Sequence, residues 1–367
     1  MEKVCFCLKM PHTSYVGGIA AIINSYTSGN QIFKSNGFDI SVFDYQNHRI
    51  DNIKPTPVQT GIYGYAQYRE LSKKIVNNEI GILHIHTSCR SLFAKDVLLL
   101  SKLHKKYGIR AFMTIHVGDL STVFEKIPYP LHSRLIQLLN EHAERVCFLS
   151  ERMKKQFISS GLNEEKAALL YNFSDIDRTK VKKSICNNLS KKRINLLFVG
   201  MINHDKGIIE LLTAIQQMDA NQIHLDICGS ITDNSIKSKY YELLAANNNK
   251  VTSHGYVKGD EKIELYNQAD ILVLPSYHEG LPLVILEALS TGCAIISTPV
   301  GSIPEILNDE NVKWVEIGNI ESIKKAVESF ISDPYELEIM KTKNYSLGAK
   351  FSKEEHIDLL CRLYRAK

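Results

Sequence analysis

The sequence lacks the features that mark membrane-spanning, secreted and disulfide-stabilised proteins. Nowhere in its 367 residues is there a run of about 18 apolar residues, so we expect no transmembrane helix. Residues 1–10 lead straight into an apolar strand, without the long apolar region and small-residue cleavage site of a signal peptide. The eight cysteines are scattered and include no Cys-x-x-Cys pair, which is typical of reduced thiols. We therefore expect a cytoplasmic protein.

A strong net charge is also lacking. The net charge of +4, with no pattern of interleaved basic and aromatic residues, disfavours a nucleic-acid-binding protein. The charge is nevertheless uneven: residues 1–175 carry 21 Lys and Arg against 15 Asp and Glu, and the remainder carry 23 against 25. A more basic first half suits an anionic surface such as a membrane leaflet or a lipid diphosphate. It is equally compatible with ordinary solvated charge.

What the sequence does contain is a long alternation of strands and helices. An apolar content of 44% and a charged content of 23% are those of a globular protein, and the length suffices for two domains. In residues 1–175 the alternation predicts a parallel, doubly wound sheet. Its strands are predicted at Val4–Leu8, Phe38–Tyr45, Ile80–His86, Arg110–His116 and Val146–Ser150.

A polar, Lys- and Asn-rich segment, residues 172–193, interrupts this alternation and reads as an interdomain linker. A second alternating series occupies residues 190–349, and a last helix is predicted at Lys353–Arg365. The fold class is therefore α/β with two doubly wound domains. The strands of the second series are predicted at Ile194–Val199, His224–Cys228, near Val251–Thr252, and at Ile271–Leu274, Ala294–Ser297 and Trp314–Val315.

Residues 277–292, between two of these predicted strands, are the most informative segment. Two acidic residues, Glu279 and Glu287, are separated by seven residues in an almost wholly apolar setting. Pro282 suits the first turn of a helix, and Gly292 suits its end. Carboxylates in such a setting are costly unless polar groups meet them. A sugar nucleotide does this, because its hydroxyls donate hydrogen bonds and its diphosphate suits a helix N-terminus. The alternative is a buried βαβ unit whose acids lie on the surface.

The Glu279-x7-Glu287 spacing, with Gly280, Pro282 and Gly292, resembles the donor-site signature of the retaining GT-B glycosyltransferases of group 1, or family 4. Residues 298–306 resemble the next βα unit of that family. The resemblance implies two Rossmann-like domains facing across a cleft. Residues 1–175 would bind the acceptor, with a C-terminal helix at about 350–367 packing back on them, and residues 190–349 would bind the nucleotide sugar.

The resemblance also assigns roles to individual residues. Glu279 would accept hydrogen bonds from hydroxyls of the donor sugar and Glu287 from those of the ribose. Residues 200–207 resemble the family's Gly-Arg-…-Lys-Gly loop, in which Lys206 would be the main cation for the diphosphate. The implied catalytic residues are His116, Lys206 and Glu279. The implied donor-binding residues are Gly17, Gly18, Gly200, Lys206, Gly229, Tyr256, Val257, Glu279, Gly280, Leu281, Pro282, Leu283, Val284 and Glu287.

One position departs from the family pattern. Met201 stands where many members have an arginine directly after the glycine. The missing guanidinium removes a possible bidentate contact with phosphate. Asn203 and His204 are candidates to replace it, and the sequence does not choose between them.

Histidines mark the ends of two strands in the first half. His116 follows a predicted strand at the edge where ligands gather in open α/β sheets, and it resembles a family histidine close to the reacting sugar. It would bond a sugar hydroxyl or orient the acceptor; the alternative is a structural histidine. His84 and His86 point to one face of the preceding strand, and neither has a carboxylate at ligand spacing. We therefore expect metal-independent catalysis and no cofactor besides the nucleotide-sugar substrate.

The sequence leaves two other functions open: a sugar-nucleotide epimerase on the same scaffold, and a non-catalytic subunit that binds nucleotide sugars. An epimerase would not need the Glu279–Glu287 spacing, and only Met201 supports a non-catalytic subunit. We favour a retaining, hexosyl-type enzyme of bacterial surface polysaccharide (O-antigen or capsule) synthesis, acting on a glycan or lipid-linked saccharide at the inner face of the plasma membrane. We also favour a UDP-sugar over a GDP-sugar. Acceptor, linkage and oligomeric state stay open.

Overall fold

In a computed structural model of the protein, the described residues are 1–8, 18–45, 57–88, 90–117, 120–181 and 193–366. The chain divides into two compact units. The first unit consists of Met1–Asn172 and Lys353–Lys367, and the second of Phe173–Ser352. The second unit thus begins well before residue 190, where the sequence placed the start of the second domain.

The first unit is built on a six-stranded parallel sheet with the strand order β2-β1-β3-β4-β5-β6. Its strands are β1 (Glu2–Leu8), β2 (Phe38–Asp44), β3 (Ile82–Thr87), β4 (Arg110–Ile115), β5 (Arg145–Phe148) and β6 (Ala167–Leu169). Its helices are α1 (Gly18–Ser28), α2 (Asn30–Ser35), α3 (Pro57–Val76), α4 (Arg90–Tyr107), α5 (Leu120–Phe124), α6 (Tyr129–His142), α7 (Glu151–Ser159) and, at the C-terminal end, α15 (Lys353–Arg365).

The central strands of this sheet are buried on both faces, as strands of a parallel sheet covered by helices must be. Every residue of β3 is buried, including His84 and His86. Of the two neighbouring glycines in the predicted donor-binding set, Gly18 is the first residue of α1, and Gly17 lies outside the described residues.

Helix α15 is part of the first unit, and buried polar contacts attach it there. The His356 Nε2 lies 2.6 Å from the Tyr26 hydroxyl, and the Tyr364 hydroxyl bonds to His84 Nδ1. The Arg110 guanidinium donates to the Tyr364 carbonyl. The C-terminal segment therefore completes the unit that the N-terminal segment begins.

The second unit holds another six-stranded parallel sheet, with the order β12-β11-β10-β7-β8-β9. Its strands are β7 (Ile194–Val199), β8 (Ile223–Cys228), β9 (Val251–Gly255), β10 (Ile271–Leu274), β11 (Ala294–Ser297) and β12 (Lys313–Trp314). Its helices are α8 (Ile208–Gln216), α9 (Lys237–Ala246), α10 (Gly259–Gln268), α11 (Leu283–Thr291), α12 (Ile303–Ile306), α13 (Ile320–Ser332) and α14 (Pro334–Gly348).

The order of this second sheet places its first and fourth strands, β7 and β10, side by side at the centre. Chain connections run outward from these two strands in opposite directions. Doubly wound sheets bind their ligands at such a reversal, outside the carboxyl ends of the strands. The loops after β7 and β10 are therefore the first places to look for a site.

The predicted linker is wrong over its described part. Residues 173–181 belong to the second unit. Arg178 donates to the Tyr345 carbonyl and stacks on its ring, Lys180 pairs with Asp260, and Ser174 bridges to Ser352. The polar side chains that suggested a solvated linker hold this segment on the unit.

None of the helices that the structure describes combines the length and the hydropathy of a membrane-spanning segment.

Candidate functional site

The candidate site lies in the second unit, where the loops after β7 and β10 meet. The Tyr277 amide donates to the Asp205 carbonyl over 2.8 Å. Gly207 has a φ of +64°, and a Cβ there would lie 2.2 Å from the Pro275 carbonyl oxygen. Only glycine allows this conformation and this approach. Glycine at position 207 therefore allows the Lys206-Gly207 turn to pack against the end of β10.

This contact joins two of the predicted catalytic residues. The Lys206 Nζ lies 2.6 Å from Glu279 Oε1, and the Ser276 hydroxyl donates to the same oxygen over 2.8 Å. The side chains of Lys206 and Glu279 are 16% and 6% exposed. A carboxylate so enclosed needs charged or polar partners. The site thus presents a fixed ammonium group and a carboxylate at the reversal of strand order.

The second carboxylate of the motif, Glu287, has partners that the sequence did not predict. The Lys262 Nζ lies 2.6 Å from Glu287 Oε1, and the Tyr266 hydroxyl donates to Oε2 over 2.9 Å. Burial first, and then the charge of Glu287, raises the pKa of Tyr266, so the phenol stays protonated as a donor. Lys262 and Tyr266 are four residues apart, which places both on one face of α10, but this spacing does not identify Glu287 as their partner.

Helix α11 begins one residue after Pro282, which the sequence had placed in its first turn. Pro282 precedes its first residue with extended backbone angles, and no side chain caps the helix. The amides of Leu283 and Val284, which have no intrahelical partner, make no hydrogen bond within the described ranges. Leu281 is buried, whereas a Cβ at Gly280 would meet open space. The turn before α11 therefore offers backbone donors.

The outer part of the predicted donor set lies at the ends of β7, β8 and β9. A Cβ at Gly229 would lie 1.8 Å from the Gly200 carbonyl oxygen. The close packing of these two loops is therefore sufficient reason for a glycine at position 229, without a bound nucleotide. Gly229 also donates to the Gly255 carbonyl over 2.7 Å. Beyond it, Tyr256 is 49% exposed and Val257 is buried. A cavity of about 330 Å³ borders Gly229 and Gly255.

The structure shows the surroundings of Asn203 and His204, the two candidates to replace the arginine that is missing at Met201. The Asn203 Oδ1 is buried and has no hydrogen-bond partner in the described segments. The His204 ring packs on Tyr277, with ring centroids 4.8 Å apart. Lys206 pairs with Glu279, and a second lysine, Lys262, forms an ion pair with Glu287, the other carboxylate of the motif.

In the first unit, His116 follows the end of β4. Its amide donates to the Thr87 carbonyl over 2.9 Å, and its Nε2 lies 2.8 Å from His86 Nδ1. Burial lowers the pKa of His116 to about 3, so its ring is neutral at pH 7. His84 is structural, because its two nitrogens bond to Thr114 and Tyr364.

The acidic residues of the described ranges give no indication of a metal site. The sequence contains an Asp-x-Asp tripeptide, Asp175-Ile176-Asp177. Asp177 accepts hydrogen bonds from the amide and hydroxyl of Thr179. No group of three or more His, Cys, Asp or Glu that could hold a metal occurs among the residues that the structure covers.

Two doubly wound units, the second with a site at its strand-order reversal, are the GT-B architecture. The chain belongs to the group 1 glycosyltransferases of that fold. The family model described as "Glycosyl transferases group 1" matches residues 180–346, and that described as "Glycosyltransferase Family 4" matches residues 33–178.

Individual curated proteins and solved structures are similar to this chain. An uncharacterised 41.2 kDa protein in the cps region of Klebsiella pneumoniae is 23% identical over 95% of this chain and 97% of its own length. The capsular polysaccharide biosynthesis glycosyltransferase CapM of Staphylococcus aureus is 29% identical over 52% of this chain, which spans 53% of CapM. HepE of Anabaena, solved with UDP and glucose, superposes with a TM-score of 0.70 at 13% identity and full coverage of both chains.

Proposed function

We propose that the protein transfers a hexosyl group from a nucleoside diphosphate sugar to a saccharide acceptor. The observation that carries the proposal is the enclosed Lys206–Glu279 pair beside the unbonded amides of Leu283 and Val284. Preorganised donors aimed at developing charge supply the largest share of catalysis in many enzymes. The leaving diphosphate is the group on which negative charge develops in such a transfer.

Each motif residue has a distinct part in this reaction. A bound diphosphate competes with Glu279 for the Lys206 ammonium and receives the amides at the start of α11. Hydroxyls of the donor sugar then donate to Glu279. Ribose hydroxyls donate to Glu287, which Lys262 and Tyr266 hold in place.

We further propose retention of anomeric configuration and no covalent sugar–enzyme intermediate. The acceptor hydroxyl oxygen attacks the anomeric carbon on the face from which the diphosphate leaves. The bond between that carbon and the phosphate oxygen breaks, and the hydroxyl proton passes to the leaving phosphate. The products are the elongated saccharide and the nucleoside diphosphate.

The relatives support a choice of donor and pathway. HepE was solved with UDP and glucose, and CapM carries a capsule-biosynthesis name. We therefore propose a UDP-sugar rather than a GDP-sugar donor, and a role in surface polysaccharide synthesis. The proposed acceptor is a glycan or lipid-linked saccharide at the inner face of the plasma membrane. In residues 1–175, basic residues outnumber acidic residues, which supports contact with an anionic surface.

Thermal unfolding with a panel of nucleoside diphosphates and nucleotide sugars, with and without EDTA, tests the donor site. Ligand at 100 times its Kd stabilises the folded state by about 2.7 kcal/mol, which raises Tm measurably. We expect uridine nucleotides to raise Tm, guanosine nucleotides to have less effect, and EDTA to change neither result. No shift with any nucleotide would contradict the proposed donor site, and a shift abolished by EDTA would contradict metal independence.

Replacing Lys262 by methionine should weaken binding of the nucleoside diphosphate about tenfold. Hydrogen bonds to charged groups contribute about 1.5–3 kcal/mol, and Glu287 would keep only the one from Tyr266. Calorimetric titration of the two proteins with UDP measures the change. Lys343→Met is the matched control, because Lys343 forms an exposed ion pair with Glu310 in the same unit. An unchanged Kd in Lys262→Met would contradict the assignment of Glu287 and its partners to the nucleotide site.

A further inference from the structure

We infer that His86 is a positioning residue: its Nδ1–H donates to His116 Nε2 and thereby fixes His116 in the tautomer that carries its proton on Nδ1. The part that this proton has in glycosyl transfer rests on the function proposed above. The tautomer itself is a property of the protein alone and can be measured without a substrate.

The sheet brings the two rings together. His86 lies on β3, and His116 directly follows β4, the neighbouring parallel strand. The His86 Nδ1 and His116 Nε2 are 2.8 Å apart, with an angle of 27° between the ring planes. The hydrogen bond from the His116 amide to the Thr87 carbonyl fixes the backbone at this point. The contact is therefore set by the strand register.

Both rings are neutral. Burial lowers the pKa of His86 well below its ordinary value, and it lowers that of His116 to about 3. A neutral imidazole has one nitrogen that donates and one that accepts. Only two arrangements of the bond are therefore available: His86 donates and His116 accepts, or the reverse.

The other nitrogen of His86 decides between them. His86 is 1% exposed, and its Nε2 has no hydrogen-bond partner within the described part of the chain. If His116 donated, His86 would carry its proton on this Nε2, as a buried N–H without an acceptor. Buried N–H groups without acceptors are rarer in folded proteins than buried acceptors that lack a donor. The arrangement in which His86 donates leaves only a bare lone pair at Nε2.

The described neighbours of His86 offer no competing partner. Its ring packs on Phe6, on Tyr26 and on His84, which stacks at a centroid distance of 4.6 Å. The two nitrogens of His84 are already bonded to Thr114 and Tyr364. These neighbours hold the ring in place without determining its proton. His116 is thus the partner that determines the tautomer of His86, and His86 determines that of His116.

This tautomer limits the chemistry of His116. Its Nε2 is occupied by His86, and its Nδ1, which carries the proton, makes no hydrogen bond with the described residues. Such a ring donates a hydrogen bond to a hydroxyl oxygen; it does not remove a proton from it. In the proposed reaction, His116 therefore orients a sugar hydroxyl, and the acceptor's proton goes to the leaving phosphate.

NMR of the full-length, 15N-histidine-labelled protein at pH 7 tests the tautomer. The His116 signals are identified by their loss in His116→Gln. We expect a protonated Nδ1 and an unprotonated Nε2 in the unsubstituted protein. In His86→Phe, which keeps an aromatic ring without a donor, we expect the His116 proton to move to Nε2 or divide between the two nitrogens. His86→Asn, whose side-chain amide replaces the Nδ1 donor, should restore the original tautomer.

A His116 protonated on Nε2 in the unsubstituted protein would overturn the inference, as would an unchanged tautomer in His86→Phe. If His86→Phe fails to fold, the spectra of the unsubstituted protein and of His86→Asn decide. Turnover adds an independent readout: kcat should fall at least tenfold in His86→Phe with the donor KM unchanged, and recover in His86→Asn. If the tautomer is as inferred and no nucleotide sugar is turned over, the proposed function fails while the His86–His116 bond stands.

Discussion

Replacing Glu279 by glutamine should lower kcat by about 10²–10³, the cost of removing one preorganised group from an active site. Glutamine has nearly the same size, and its carbonyl oxygen can still accept the hydrogen bond from Ser276. It lacks the charge that holds the Lys206 ammonium and that strengthens hydrogen bonds from sugar hydroxyls. The substitution therefore tests the effect of the carboxylate's charge while its size and shape stay nearly the same.

Initial rates with a UDP-sugar and circular dichroism of the same preparations measure the effect and verify the fold. Glu310→Gln is the matched control, because it neutralises a carboxylate that pairs with a lysine on the surface of the same unit. Exposed pairs of this kind contribute about 0–1 kcal/mol to stability. Activity should be unchanged in the control. Full activity in Glu279→Gln would overturn the assignment of Glu279 to the donor site.

The architecture was predictable because parallel strands covered on both faces must be apolar along their whole length. That signal is strong for β7, β10 and β11, whose bounds agree with the prediction. It fails for β6, which has only three residues and too little sequence to show a pattern. For β6, length rather than composition limited what could be predicted.

Polarity misled the prediction over residues 173–181. Lysine, arginine and aspartate there indicate a solvated linker when their partners are unknown. In the structure Arg178 reaches Tyr345, 167 residues later in the chain. A hydrogen bond over such a sequence separation leaves no local pattern. The segment therefore looks like a linker in sequence and packs like part of a domain.

In the candidate site, too, local patterns were predictable and contacts between residues far apart in the sequence were not. Glu279, Glu287 and Lys206 were predicted from a family resemblance that rests on a local spacing from glycine and proline positions. Lys262 was not, because nothing local shows that one face of α10 meets a carboxylate 25 residues later. The alternation of His84 and His86 placed both on one face of a strand. Only the register between β3 and β4 shows that His86 bonds to His116 while His84 does not.

Replacing Lys206 by methionine should lower kcat by about 10³ or more, exceeding the effect of Glu279→Gln. Methionine keeps much of the length of the side chain and removes the ammonium that stabilises the leaving diphosphate. It also leaves the carboxylate of Glu279, which is 6% exposed, without its cation. Breaking an enclosed pair by removing one partner destabilises a protein more than neutralising both. Lys206→Met leaves the less exposed of the two partners without its counter-charge, so Tm should fall further in Lys206→Met than in Glu279→Gln.

Lys206→Arg restores the charge but not the shape of the ammonium, and it should recover only part of kcat. Lys343→Met is the matched control, with an exposed lysine whose partner is also exposed. Steady-state rates of all three proteins with one UDP-sugar give the comparison. Wild-type kcat in Lys206→Met would show that the amides of α11 stabilise the diphosphate without a cation from this loop.

The double variant Lys206→Met/Glu279→Gln distinguishes a functional pair from two independent residues. Residues in direct contact have effects that do not add, whereas distant residues have effects that do. Because the ammonium and carboxylate are 2.6 Å apart, the loss of log kcat in the double variant should be smaller than the sum of the two single losses. Its Tm should be higher than that of Lys206→Met, since no uncompensated carboxylate is left enclosed. Additive losses in log kcat would mean that Glu279 acts on the sugar independently of the lysine that it holds.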